Sequence, residues 1–359
     1  MALDFALERT STPAGDDRLA EALASPGFGR VFSDHMVTAV WTTEGGWHDA
    51  RVRPYGPLSL DPATQVFHYA QSIFEGFKAY RQPDGSIATF RPEANGARFV
   101  RSAQRMALPA LDVEDFVTAA DTLIRIDERW VPTTPAASLY LRPFMMATEV
   151  GLGVRPASEV TFVLIASPST SYFSGGAKPV TIWLSEDYTR AAPGGTGAAK
   201  CAGNYAASLV AQQEAIANGC DQVVFLDAVE RRWVEELGGM NIFFVLDDGT
   251  LVTPELTGSI LEGVTRDTIL TLAKELGHEV EERRVDVDEW RKGVETGRIT
   301  ETFACGTAAI VASIGTLRWR GGEAVASGAT PVADTVRETL VGIQNGLIPD
   351  THGWMHTVP

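Results

Sequence analysis

One stretch of this sequence constrains its folding more than any other: STSYFSGGAKP, residues 169–179. Serine, glycine and proline cluster there without the period of a helix or a strand, the composition of a connection between packed elements. The text on either side differs in kind. Before it, short apolar runs are punctuated by turn residues; after it, strand-like and helix-like patterns alternate. Two domains are therefore expected, residues 1–170 and 179–359, joined by a linker at 171–178. A chain of 359 residues suits that division, because each part is long enough to bury a core of its own.

In the first half, the runs at 35–41 (HMVTAVW) and 48–53 flank Thr-Thr-Glu-Gly-Gly and read as a hairpin with a longer loop. Runs at 74–80 and 86–90 flank Pro83-Asp84-Gly85, a second hairpin signal. Pro92 opens a helix expected to reach Met106, since proline is tolerated in a first turn. Phe116, Val117, Ala120, Leu123 and Ile124 recur at helical spacing and predict another helix ending near Trp130. Strands are expected at 137–141 and 160–166. Beyond the linker the pattern predicts strands at 180–184, 222–226, 241–246, 280–285 and 300–304. Helices are expected after Asn204, over 264–276, around Trp290 and over 332–345. The fold class is a mixture of α/β and α+β.

Acidic side chains outnumber basic ones enough to give a formal charge of -16. That argues against nucleic acid, whose binding needs clustered Lys and Arg. The N-terminus lacks the basic start and apolar run of a signal peptide, and no apolar run has the length of a membrane helix. Cys201, Cys220 and Cys305 are odd in number and form no CxxC pair. A cytoplasmic location with buried, structural cysteines is expected, with no metal and no membrane partner.

The chemistry-bearing text is APGGTGAAKCAGNYAASLVAQQEA, residues 192–215. The chain has only five lysines, and Lys200 lies among glycines and alanines with no charged neighbour on its C-terminal side until Glu214. A lysine in such company is either a solvated loop residue or one kept from water, where the neutral, nucleophilic amine is favoured. Further on, VEELGGMNIFFV sets Glu235 and Glu236 before a double glycine. They read either as two surface acids or as a carboxylate held against a protonated ring nitrogen. At about 4 Å and an effective dielectric of 20 such an ion pair is worth about 4 kcal/mol. Gly263-Val264-Thr265 opens the helix expected at 264–276, where free amides and a hydroxyl make an anion site. Gly306-Thr307-Ala308 ends a strand and offers a second small-residue turn. Each signal alone is weak.

Taken in order, these segments resemble the branched-chain amino acid aminotransferases, which are fold-type-IV pyridoxal-phosphate enzymes. The resemblance runs from about Phe28 to the last residues. It includes FGRVFSDHM, HYAQSIFEGFKAYR, FRPEANGARFVRSAQRMALP, SLYLRPFM, SYFSGG, GNYAASLVAQQEA, VEELGGMNIFFV and CGTAA. It implies a two-domain fold like that of D-amino acid aminotransferase: a small N-terminal α/β domain and a larger C-terminal domain with mixed sheets that binds pyridoxal 5′-phosphate. Lys200 matches the Schiff-base lysine, Tyr205 the tyrosine on the cofactor's phenolic oxygen, and Glu236, rather than Glu235, the acid facing the pyridine nitrogen. Arg98 matches the arginine on the phosphate, with Val264, Thr265 and Thr307 completing that contact. On composition alone Arg98 reads as one of several arginines on an exposed helix. Phe28, Tyr69, Phe74, Tyr140, Arg142, Tyr172 and Ala308 match substrate-pocket residues. Leu152 and Val154 match the loop inserted into the partner subunit's site, which implies a homodimer.

The reaction so implied is reversible amino transfer between leucine, isoleucine or valine and 2-oxoglutarate. Two departures matter. Ala309 and Ala312 stand where mammalian members carry a redox CxxC, so thiol control of that kind is excluded; and EELGGMN is similar to the bacterial version. The rival readings are a D-amino acid aminotransferase, an aminodeoxychorismate lyase, and a catalytically silent phosphate-ligand-binding relative.

Overall fold

The computed structural model describes residues 2–134, 137–170 and 178–359. Tyr172 and, except for Lys178, the expected linker lie outside the described residues. The chain divides into two compact units. The first takes residues 1–174, 199–202 and 342–359; the second takes 175–198 and 203–341.

The first unit is built on one sheet. Its order is Ala6–Leu7, Gly46–Pro54, His35–Thr42, Glu159–Ser169, Ser138–Ala147, Phe77–Arg81, Ile87–Phe90 and Met355–Thr357, with Ser72–Phe74 also pairing Ser138–Ala147. Every pairing is antiparallel except that of Ala6–Leu7. The helices Pro92–Arg105 and Val113–Ile126 meet through Phe99 and Phe116, whose ring centroids are 5.4 Å apart. These rings reach Phe162 and Phe77 of the sheet at 5.9 and 5.6 Å. The predicted apolar spacing of the second helix therefore marks its buried face.

Two expectations need correction here. The strand expected at 74–80 is interrupted at Glu75-Gly76, leaving Ser72–Phe74 and Phe77–Arg81. A Cβ on Gly76 would sit 1.9 Å from the Tyr140 hydroxyl, so only glycine allows this approach. The strand expected at 137–141 instead runs over Ser138–Ala147, through Pro143. Proline lacks the N–H a central strand needs, but Pro143 lies opposite the Glu75-Gly76 break, and its carbonyl accepts the Glu75 N–H at 2.7 Å.

The second unit carries a mixed sheet in the order Val234–Leu237, Gln222–Leu226, Val180–Ser185, Ile310–Trp319, Ile299–Gly306, Asn241–Leu246, Leu251–Thr253 and Val280–Glu282. Val180–Ser185 is parallel to both of its neighbours, and most of the remaining pairs are antiparallel. Phe243 stacks on Phe303 at 5.2 Å, in a core shared with Ile269 and Ala273 of the helix Val264–Glu275. Glu301 accepts the Val332 and Ala333 N–H groups, each at 2.9 Å, at the start of the helix Pro331–Gln344. A carboxylate at that place satisfies orphan amides and complements the helix dipole. The acids expected ahead of a strand are themselves in one, Val234–Leu237, and both are buried. The strand expected at 280–285 stops at Glu282. Among the described residues no helix is long and apolar enough to cross a membrane, no cluster could hold a metal ion, and all three cysteines are buried.

Candidate active site

In the first unit the structure gathers five of the residues singled out from sequence. Lys200 is half-buried, and its Nζ lies 5.0 Å from the centroid of the Phe74 ring. The Arg142 guanidinium lies 4.9 Å from the same ring and 5.3 Å from that of Tyr140, and its Nη2 donates to the Tyr140 hydroxyl at 3.0 Å. Phe28 meets Tyr140 edge-on at 4.9 Å. Ring faces attract cations, so two cationic side chains are held against one aromatic wall. The backbone around Lys200 is tied down: its N–H donates to the Ser102 hydroxyl at 3.0 Å, and its carbonyl accepts the Phe74 N–H at 3.0 Å.

Arg98 lies one turn before Ser102 on the helix Pro92–Arg105, and it is 4 % exposed, so the exposed-helix reading fails. Its Nε and Nη2 donate to the two carboxylate oxygens of Glu75 at 2.6 and 2.9 Å. A fork-to-fork pair of this kind fixes the plane of the guanidinium. Glu75 stands in the quoted EGFKAYR text but carried no role there. The signal for it was an acid next to the Gly76 break, legible only once Arg98 is known to be buried.

Tyr69 is 39 % exposed and donates through its hydroxyl to the Leu152 carbonyl at 2.5 Å. Leu152 and Val154 are exposed at 67 and 83 %, an apolar loop facing water.

The second unit gathers another set. Glu236 is 2 % exposed; its Oε1 accepts the Leu261 N–H at 2.7 Å and lies 2.5 Å from Arg190 Nη2. Arg190 also donates to the carbonyls of Gly197 and Ser259 at 2.9 and 2.8 Å. Sequence reading missed Arg190, because nothing around DYTRAAPGG marks an arginine as buried. Leu261 reaches the next feature through its carbonyl, which accepts from Asn241 Nδ2 at 3.0 Å. Asn241 in turn packs against Gly263, where a Cβ would fall 2.0 Å from its Oδ1. Gly263 precedes the helix Val264–Glu275, and no side chain caps that helix start. Thr307 and Ala308 form the turn between Ile299–Gly306 and Ile310–Trp319. Ile310 leaves that turn at φ 64°, a conformation costing a β-branched residue about 1–3 kcal/mol. Tyr205 lies in the first turn of Ala202–Ala217, with its ring 3.4 Å from where a Gly239 Cβ would stand.

The first unit thus holds a lysine fixed at its backbone, and the second a buried carboxylate and an uncapped helix start; by their chemistry these groups suit an anionic, ring-nitrogen cofactor. The model of the class IV amino-transferases matches residues 72–315. The chain belongs to that family. Among class IV relatives, a probable branched-chain-amino-acid aminotransferase of Streptomyces coelicolor is 59% identical, over 98% of each chain. The Escherichia coli branched-chain amino acid aminotransferase structure aligns with a TM-score of 0.75 at 29% identity, over 89% of this chain and 99% of that one. A structure of the Thermobaculum terrenum enzyme of the same name, in its PLP form, aligns at 0.71 and 26%, over 89% and 98%.

Proposed function

We propose that this chain is a branched-chain amino acid transaminase, exchanging the amino group of leucine, isoleucine or valine with 2-oxoglutarate, and that it uses pyridoxal 5′-phosphate. The observation that carries the reading is Lys200, whose Nζ stands 5.0 Å from the Phe74 ring with its backbone anchored on both sides. The names of the relatives support the same substrate class.

Each residue then has a task. Lys200 is the covalent anchor of the cofactor; once freed, its amine moves the proton at the substrate alpha carbon, a contribution of about 10²–10⁴-fold. Bound pyridoxal phosphate supplies an electron sink for the pair left at that carbon. Glu236, held by the Leu261 N–H and Arg190, faces the ring nitrogen. Tyr205 donates to the phenolic oxygen. Arg98 takes the phosphate with the Val264 and Thr265 amides and Thr307. Phe28, Tyr69, Phe74, Tyr140, Tyr172 and Ala308 bound an apolar slot for a branched side chain, and Arg142 receives the distal carboxylate of glutamate. Exposed Leu152 and Val154 support a homodimer in which this loop completes the partner's pocket. We assign residues 1–170 to a small domain, 171–178 to a linker and 179–359 to the cofactor-binding domain of a cytoplasmic enzyme, with 199–202 and 342–359 returning to the first compact unit.

The test is an amino-donor panel against 2-oxoglutarate with the purified enzyme, beside its visible spectrum. Leucine, isoleucine and valine should react, and a visible band should vanish on borohydride reduction. A preference for D-alanine, or a colourless protein that cofactor does not colour, would refute the assignment.

A further inference from the structure

A closed frame of contacts in the first unit surrounds the backbone of Lys200. The Lys200 N–H donates to the Ser102 hydroxyl at 3.0 Å, and the Lys200 carbonyl accepts the Phe74 N–H at 3.0 Å. Next to Phe74, Glu75 accepts from Arg98 with both carboxylate oxygens, at 2.6 and 2.9 Å. Arg98 and Ser102 stand four residues apart on the helix Pro92–Arg105, so they share one face, about 6 Å apart along its axis. The segment Ala199–Ala202 belongs to the same unit as that helix, and Cys201 pairs with Ile73 in an isolated bridge. The frame is dry: Ser102 and Glu75 are fully buried and Arg98 nearly so.

A serine in the buried face of a helix is an odd choice. Its hydroxyl competes with the backbone for hydrogen bonds, and alanine is the better helix former. What the hydroxyl does at position 102 is take the Lys200 N–H. With Lys200 as the covalent anchor and Arg98 as the phosphate ligand, the reading given above, we propose that Ser102 is a positioning residue that holds the Lys200 backbone at a set place relative to Arg98. A rigid cofactor gripped at two points needs those points in register. The lysine stem is four flexible carbons, so the reach of Nζ is set by where the backbone starts and by the Phe74 ring, 5.0 Å from it. Without the Ser102 oxygen the Lys200 N–H loses this acceptor, and the bond to Phe74 becomes a pivot. Misplacement by an ångström costs a reacting group about 10²-fold. Arg98 keeps its place, because Glu75 and not Ser102 orients it.

Ser102→Ala separates positioning from mere support. Mixed with saturating pyridoxal 5′-phosphate, the cofactor-free variant should form its borohydride-reducible visible band about tenfold or more slowly than the parental protein. Pyridoxamine 5′-phosphate has no aldehyde for Lys200, and it should bind within about twofold of the parental affinity. Hydrogen exchange at the Lys200 amide, measured without cofactor, should quicken about tenfold or more, since this amide has lost its acceptor. Should the alanine variant fail to fold, Ser102→Cys, which keeps the volume and only a weak acceptor, carries the same comparison. Equal losses with both forms of the cofactor would make Ser102 a structural hydroxyl and overturn the proposal. Unchanged band formation or unchanged exchange would overturn it as well. A parental protein that forms no band would instead overturn the reading of Lys200, and the role of Ser102 with it.

Discussion

Each unit of the chain buries an arginine against a glutamate, and the two pairs are built differently. In the first, Glu75 gives both oxygens to Arg98, at 2.6 and 2.9 Å, and the second oxygen also accepts the Gly76 N–H at 3.1 Å. In the second, one nitrogen of Arg190 is shared by Glu236 and two carbonyls, and Glu236 takes a backbone N–H as well. A carboxylate spent on a guanidinium fork orients the arginine; an arginine spread over three acceptors holds a carboxylate in place. The pairs thus present opposite working ends, a cation in one unit and an anion in the other. Neither pair is by itself evidence of added stability, since burying two charges costs about as much as their attraction returns.

Both pairs are read as serving Lys200, so its removal should have the largest effect. Lys200→Ala should lower turnover by at least the 10²–10⁴-fold that one placed amine contributes, with circular dichroism unchanged, because the anchors at residue 200 are backbone groups. Transamination near the parental rate would end the assignment and with it the meaning of the comparison.

The next effect separates the two glutamates. Glu236→Gln should cut kcat by about 10²–10³-fold, the scale of losing one preorganised electrostatic contact. Glu235→Gln should cost at least about tenfold less than that. Glu75→Gln should leave kcat at saturating cofactor nearly intact while lowering the stability of the cofactor-free protein by about 3–5 kcal/mol, the scale of breaking a buried ion pair. Rate measurements and denaturant unfolding on the three variants decide it. Equal rate losses at 235 and 236 would mean the register of the site is off by one.

A smaller effect is expected where the arginine is the working end. Arg98→Ala should weaken cofactor binding by about one to two decades, from about 1.5–3 kcal/mol of charge-assisted contact. It should do less to kcat at saturating cofactor. An unchanged dissociation constant in a titration of the apo variant would show that Glu75 and Arg98 form a purely structural pair.

The sequence was most informative where periodicity and turn chemistry act locally. The helix at Pro92–Arg105 and the strands Gln222–Leu226 and Asn241–Leu246 match their expected spans closely. It was least informative where a distant residue decides. The strand expected at 74–80 breaks at Glu75-Gly76 because Tyr140 fills the space a side chain would need, and Tyr140 is far away in the chain. Glu235 and Glu236 look alike in VEEL, yet Leu261 and Arg190 hold one while the other accepts the Ser259 hydroxyl. Family resemblance singled out Lys200, Arg98 and Glu236. It passed over Glu75 and Arg190, whose burial no local pattern reveals.

The smallest and most discriminating effect concerns Arg142, because one pocket must take both leucine and glutamate. The first brings a branched apolar side chain and the second a carboxylate, and both must set the same alpha carbon at Lys200. Arg142 lies against the rings of Phe74 and Tyr140 and donates to the Tyr140 hydroxyl at 3.0 Å. Ring faces hold the cation in position without consuming its hydrogen-bonding capacity, which leaves it able to receive a carboxylate. Arg142→Met preserves length and apolar contact while removing the charge. The glutamate half-reaction should then slow about tenfold more than the leucine half-reaction, since an unpaired carboxylate in a partly dry pocket costs more than one lost apolar contact. Single-turnover rates with each amino acid measure the split. Parallel losses would mean that Arg142 binds the alpha-carboxylate common to both substrates, and the two-substrate role would fall.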